Sequence, residues 1–479
     1  MARDDVGFRS PRGPVLLAGM LATALVAIDA TILATAVPSV VEDLGGFEAY
    51  PWLFSAYLLT QAVLVPVYAK LADMLGRKPV LLFGIGAFVV GSVLCALAPG
   101  MVPLIAFRAV QGIGAGAILP GVMTIIGDLY SVEERARIQG YLASVWAVAS
   151  VAGPALGGVF SQYAGWPWIF WINVPLGALA AWLLVRGFRE EVPRRTHRID
   201  YAGSALLCVG LTLLLLAILE GGVAWEWTSP VSVALFGGAA LVFVAFVLVE
   251  RRAAEPVLAL GVITRPIVLT TSLTAAVVGV LLLGVTSFAP TYLQTSAGAD
   301  PLVAGLAVAA LTFGWPIAST LAGRLYLRIG FKATILIGAV VTVGGGVFLA
   351  LCAPHPHVAL VAGACLVMGF GLGLVASPSL VVAQASVPWH ERGVVTGLNA
   401  FLRSLGSTVG VAVLGSIANS TIEAHGGDEH DPATIVASST AVFVTVAAVC
   451  ALLLVTAAVM PRTPPPRRDA VTLPPEPGV

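Results

Sequence analysis

The chain alternates between long apolar runs and short polar connections. The apolar runs are about the length that a helix needs to cross the hydrocarbon core, roughly 20 residues. Marking them gives fourteen predicted spans: 14–41, 51–72, 79–98, 101–127, 136–161, 167–187, 201–220, 231–250, 266–290, 302–324, 333–353, 358–382, 394–419 and 436–460. The first run continues to about Val41 and contains Asp29, so it reads as a first transmembrane helix and not as a cleaved leader. An even number of spans places both termini on one side.

Composition and charge placement sharpen this picture. Of 479 residues, 58% are hydrophobic and 10% are charged, too few charges to cover a soluble fold of this size. Formal net charge is zero and argues for no nucleic-acid partner. Of 25 Lys plus Arg, only Arg108 and Arg403 lie well inside apolar spans, more than three residues from a span end. The remainder fall in the termini or in connections of one parity, and the opposite connections carry acids such as Glu42, Asp43, Glu226 and Asp300. By the positive-inside rule the basic connections and both termini are expected to be cytoplasmic. Cys95, Cys208, Cys352, Cys365 and Cys450 lie in apolar stretches without metal-ligand spacing and read as small core residues. All six histidines fall in polar connections, which leaves none at depth as a proton carrier. Asn419-Ser420-Thr421 matches a glycosylation acceptor but abuts a span and reads as chance.

The chain repeats itself. Leu71, Gly76 and Lys78 after the second span align with Leu325, Gly330 and Lys332 after the tenth, at an offset of 254. Glu134-Arg135 with Gly140 aligns with Glu391-Arg392 with Gly397 at an offset of 257. Gly112, Gly114 and Gly116 align with Gly369, Gly371 and Gly373 at that same offset, as do Gly153 and Gly158 with Gly410 and Gly415. The expected architecture is therefore all-α: six spans (14–187), a linker with two extra spans (188–265), and six spans (266–460). Residues 1–13 and 461–479 are terminal segments, the latter expected to be disordered. Repeated six-span halves imply a substrate site between them near the midplane, exposed to alternate sides by rocking.

Several short strings have physical content of their own. Gly76 gives the loop Leu71–Lys78 backbone freedom, and Asp73 is placed to approach a helix N-terminus or to pair with Arg77. Arg108 opens Arg108-Ala-Val-Gln111-Gly112-Ile-Gly114-Ala-Gly116; an arginine at depth costs at least ~2.5–3.5 kcal/mol and must face the bundle interior, water or a counter-charge, or else snorkel to the interface. The small residues after it allow close helix contact. Gly153-Pro154-Ala-Leu-Gly157-Gly158 combines a missing helical hydrogen bond with room for a bend and tight packing. Asp29 is the carboxylate well inside an apolar span; helix rise puts it within about two turns of the depth of Arg108, which predicts that the two approach each other across an N-terminal cavity. A static pair that fixes packing is the plainer alternative. Arg403 lies mid-span at the repeat position of Trp146, with no partner legible in the sequence.

Taken together, these strings resemble the major facilitator superfamily, and specifically its fourteen-helix drug:proton antiporters. The resemblance covers the Leu71–Lys78 loop, with Ala69 where the family usually has Gly. It also covers the Arg108 and Gly153-Pro154 motifs, the latter with Ala149 in the family's leading Gly position, the Asp29 segment, the string Trp166–Gly177, and Pro290-Thr-Tyr292-Leu-Gln294. It implies a gating role for Asp73, Gly76, Arg77 and Lys78, and a proton-transfer role for Arg108. It marks the Gly153, Pro154, Gly157 and Gly158 segment as an antiporter motif. The implied function is proton-driven export of small lipophilic or cationic compounds by a monomer in a bacterial cytoplasmic membrane. Asp29, Arg108 and Arg403 would couple proton to substrate. A symporter or a dedicated metabolite or lipid exporter on the same fold, and, against these motifs, a non-transporting sensor or scaffold, are the other readings. No phosphate-binding loop, metal cluster or matched nucleophile is present in the sequence, so no enzyme activity and no cofactor beyond the proton gradient are expected.

Overall fold

A computed structural model describes the chain except residues 1–6, 9, 46–48, 51, 191–199, 223, 254–259, 426–430 and 463–479. Most of the expected C-terminal tail therefore lies outside the described residues, as does much of the linker before the seventh span. Sixteen α-helices are described: α1 (Gly13–Leu44), α2 (Trp52–Leu75), α3 (Arg77–Ala96), α4 (Met101–Leu129), α5 (Val132–Val159), α6 (Trp168–Trp171), α7 (Asn173–Gly187), α8 (Tyr201–Glu220), α9 (Pro230–Glu250), α10 (Leu260–Ile263), α11 (Pro266–Ala297), α12 (Pro301–Ile329), α13 (Phe331–Cys352), α14 (Val358–Ala385), α15 (Arg392–Ala424) and α16 (Pro432–Val459). With α6 and α7 counted as one crossing, fourteen are long and apolar enough to span a membrane.

Helix ends often lie beyond the apolar runs because capping chemistry, and not hydropathy, sets them. Ser131 caps α5 in a reciprocal box with Glu134, so this helix starts four residues before the apolar stretch. The Asp431 carboxylate accepts from the Thr434 N–H at 2.9 Å and starts α16 in the same way. Beyond Pro154, α5 ends in a single π-helical turn, Phe160–Ala164.

The helices pack as two like bundles. In the first, α1 packs on α5 and α7, and α4 on α2 and α3. In the second, α11 packs on α15 and α16, and α14 on α12 and α13. The two bundles meet where α5 lies along α12 and where α15 lies along α2, contacts that are again related by the repeat. Gly76 and Gly330 occupy equivalent places, each preceding a helix with φ of 102° and 86°, a conformation open to glycine. The extra pair α8 and α9 forms a hairpin against α2 and α15, where Leu207, Leu211 and Phe246 pack with Val63 and Phe401 at the seam between the halves.

The end of the bundle where α1 starts and α16 stops also carries the basic connections and is called the basic end below; the opposite end carries the acidic connections.

Candidate functional site

Asp29 and Arg108 meet inside the first bundle. Arg108 Nη1 donates to Asp29 Oδ2 at 2.7 Å, and both side chains are about 1–2% exposed. The pair is part of a larger cluster. Gln111 Nε2 donates to Asp29 Oδ1 at 2.8 Å and to Ser92 Oγ at 2.9 Å. Gln111 Oε1 accepts from Arg108 at 2.6 Å, Arg108 Nε donates to the Leu53 carbonyl at 3.0 Å, and Asn173 Nδ2 reaches Ser92 Oγ at 3.2 Å. The guanidinium also lies over the Tyr57 ring, 4.3 Å from its centre. Five helices, α1, α2, α3, α4 and α7, thus contribute to one buried cluster. A buried charge needs this degree of satisfaction, because removing either partner leaves an uncompensated ion.

The expected approach of Asp29 to Arg108 is present, but not across a cavity: the cluster is sealed within the bundle, and neither residue lines the central space described below. Gln111, taken from the sequence as part of a small-residue motif, is a full member of the cluster. Ser92, Tyr57 and the Leu53 carbonyl carry no sequence signal, since their role depends on which helix faces they share.

The glycines of α4 explain how the cluster closes. A side chain at Gly112 would strike the Tyr57 carbonyl and Thr60, one at Gly114 would strike the Phe88 backbone, and one at Gly116 would sit 2.8 Å from the Gln61 carbonyl. α4 therefore touches α2 and α3 backbone to backbone. Gly153 and Gly157 do the same for α5 against Thr31, Ile32 and Thr35 of α1. Thr31 Oγ1 also donates across this contact to the Ala149 carbonyl at 3.0 Å. Gly158 does not share this role: a side chain there would meet open space.

At the basic end, the two bundles are tied by polar contacts. Asp73 pairs with Arg77 at 2.7 Å and also accepts from the backbone N–H groups of Gly393 and Val394 at 3.2 and 3.0 Å. Both placements read from the sequence, a pairing and a helix N-terminus, thus hold at once, and the N-terminus is that of α15 in the opposite bundle. Arg77 bridges further, to Asp128 at 3.0 Å and to the Trp389 carbonyl at 3.0 Å, with its guanidinium stacked 3.8 Å from the Trp389 ring centre. Arg392 reaches back to Asp128 at 3.3 Å and to the Gly127 carbonyl at 3.0 Å. Its repeat counterpart Arg135 donates to Gln384 of α14 at 3.5 Å. Lys78 is spent within the first bundle, on the carbonyls of Val185 and Phe188, while its backbone N–H and that of Arg77 are held by Glu190 at 2.8 Å. Asp128, Trp389, Gln384 and Glu190 are the members of this region that sequence reasoning missed. They lie far from the loop in the chain and none belongs to a repeated string.

Between the bundles lies a cavity of about 270 Å3. α4 and α5 line it from one side, and α11, α12, α14 and α15 from the other. Arg403 and its repeat counterpart Trp146 both line it, as do Trp315, Thr274, Asn399 and Ser377. Among the described residues, the hydrogen bonds and ion pairs that cross between bundles run from Ser150–Thr312 at mid-span to the Asp73–Val394 region at the basic end.

Comparisons with known proteins agree with this geometry. The Major Facilitator Superfamily profile matches residues 19–411. Multidrug resistance protein 3 of Bacillus subtilis is 34% identical over 84% of this chain and 79% of its own length. Multidrug resistance protein Stp of Mycobacterium tuberculosis is 31% identical over 86% of this chain and 77% of its own. Among solved structures, the human organic anion transporter MFSD10 superposes with a TM-score of 0.66 over 94% of this chain and 100% of its own, at 16% identity, a likeness of fold alone. Two like six-helix bundles around a central cavity, closed at one end by a charged loop motif, are thus matched by sequence over most of the length, and the chain belongs to the Major Facilitator Superfamily of membrane transporters.

Proposed function

We propose that the protein exports small lipophilic compounds in exchange for protons, as a monomer in the cytoplasmic membrane of a bacterium, with its basic end and both termini facing the cytoplasm. The observation that carries this reading is the central cavity between two like halves whose basic end is latched by Asp73, Arg77 and Arg392. With that end cytoplasmic, the arrangement is the one closed to the cytoplasm. The names of the relatives, multidrug resistance proteins, support the cargo class.

In this cycle Asp29 is the proton carrier. Protonation removes the charge that holds Arg108, so the cluster across α1, α2, α3, α4 and α7 loosens and repacks. Because the cluster does not line the cavity, coupling runs through helix packing, not through competition of proton and substrate for one group. Tight α1–α5 contacts at Gly153 and Gly157 transmit the change to α5, which lines the cavity through Trp146. No cofactor is required.

The test is dye accumulation in inverted vesicles. An inside-acid gradient is expected to drive uptake of a lipophilic dye, a protonophore to abolish it, and Asp29→Asn to abolish it as well. Uptake that needs an outside-acid gradient would replace this reading with symport.

A further inference from the structure

The cavity between the bundles has a one-sided charge. Among its lining residues Arg403 is ionisable, and the others are apolar, hydroxyl or amide in character. Arg403 sits about three turns into α15 from its basic end. It is partly exposed to the cavity, and among the described residues its guanidinium has no hydrogen bond and no ion pair. This sets it apart from Arg77, Arg108 and Arg135, which are each supplied with oxygen acceptors by the fold. A cation held at membrane depth without a counter-charge is costly unless something else supplies one.

A second observation points the same way. Ser377 and Ser379, on α14, also line the cavity; they are 5% and 2% exposed, and neither hydroxyl has a partner. Buried hydroxyls left without a partner in the wall around an unpaired cation are donors that an anionic headgroup would satisfy. The rest of the wall suits a flat apolar body, with Trp146 and Trp315 as aromatic surfaces and Leu119, Val278 and Leu282 around them.

We infer that the cargo is an amphipathic organic anion, an aryl or alicyclic body with one carboxylate-type headgroup, held by Arg403. A guanidinium matches a carboxylate with two parallel hydrogen bonds and also stacks on aromatic faces. A lipophilic cation, one of the classes read from the sequence, would leave Arg403 unpaired and set two like charges in one low-dielectric space. The inference rests on the transport reading above and has an electrical consequence. One proton in and one monoanion out move two positive charges inward per cycle, whereas exchange for a monocation would be electroneutral. An inside-negative potential alone therefore drives anion export in the absence of a pH difference.

The experiment uses three probes that share one naphthylmethyl body: naphthalene-1-acetate, its isosteric primary amide, and 1-naphthylmethylammonium. Calorimetry on the purified full chain at neutral pH is expected to show the carboxylate bound about ten-fold more tightly than the amide, and the ammonium most weakly. Arg403→Gln is expected to erase the preference by bringing the carboxylate down to the affinity of the amide, and an unchanged unfolding temperature in detergent shows that the variant is folded. Arg403→Lys is expected to keep part of the preference. Equal affinities in the native protein, preference for the ammonium, or uniform weakening of all three by Arg403→Gln would overturn the assignment. Proteoliposomes separate this from the transport reading. If the ammonium moves under a proton gradient and the carboxylate does not, export stands and the anion assignment falls. If nothing moves but the carboxylate binds through Arg403, the anion assignment stands and export falls.

Discussion

Asp73, on the first bundle, caps the first turn of α15 on the second bundle, accepting a 3.0 Å hydrogen bond from the N–H of Val394. The Gly393 N–H adds another at 3.2 Å. A carboxylate at a helix N-terminus satisfies free donors and meets the positive end of the helix dipole. Here the helix and its cap belong to different bundles, so in the proposed transport cycle this capping interaction acts as a latch between conformations.

Asp73→Asn is therefore expected to shift the protein away from the state closed at the basic end. Loss of the cap and of the Arg77 pairing is worth about 1–2 kcal/mol, or roughly a 5- to 30-fold change in the equilibrium. Spin labels placed by Arg137→Cys and Arg328→Cys, both exposed positions on opposite bundles, would read it in a background whose native cysteines are replaced. An unchanged distance distribution would mean that the latch is not limiting.

The Asp29–Arg108 pair predicts a strong coupling between two substitutions. Asp29→Asn alone leaves the guanidinium buried without its counter-ion and is expected to cost about 3–5 kcal/mol. Adding Arg108→Gln removes the orphaned charge and should recover part of that loss, so the two effects are far from additive. Thermal unfolding of the single and double variants in detergent measures the coupling. Additive losses would show that the pair does not act as a unit.

Gly157 and Gly158 are adjacent in the chain but opposite in environment. A methyl group at Gly157 collides with Thr35 and lies 2.6 Å from the Ile32 carbonyl, whereas one at Gly158 meets open space. Gly157→Ala is expected to destabilise the α1–α5 contact by about 1–3 kcal/mol, and Gly158→Ala to be neutral within about 0.5 kcal/mol. Unfolding temperatures and dye efflux of the two variants make the comparison. Equal effects would point to helix bending, not packing, as the role of this segment.

Glu190 caps α3 from beyond the sixth crossing, accepting from the N–H groups of Arg77 and Lys78 at 2.8 Å each. Glu190→Gln keeps an acceptor but removes the charge that complements the helix terminus. A loss of about 0.5–1 kcal/mol is expected, seen as a modest fall in unfolding temperature. Glu190→Ala should cost more, because both donors lose their acceptor.

Much of the fold is legible in the sequence, for a specific physical reason. Lipid leaves a chain few options, so long apolar runs must be helices that satisfy their own backbone. The repeat offsets showed in advance the like packing later seen for Gly76 and Gly330. Depth could be read as well: Asp29 and Arg108 stand out because a charge at that position has to be answered by another. Rotation about each helix axis could not be read. Hydropathy is nearly uniform around these helices, so it does not show which face of α3 turns Ser92 toward Gln111. Nor does it show that α1 turns Asp29 away from the central cavity and α15 turns Arg403 into it.

The sequence by itself thus determined the number of crossings, the two-fold repeat, the sidedness of charge and the residues whose burial needs explanation. These follow from the cost of placing polar groups in hydrocarbon, which acts one residue at a time. Only the tertiary structure decided the partners. It joined Asp29 to Gln111 as well as Arg108, set Asp73 on a helix more than three hundred residues away, and left Arg403 facing the cavity without a counter-charge. Those outcomes depend on glycine-mediated contacts at positions such as Gly112 and Gly157, which fix helix rotation by shape and leave no trace in hydropathy.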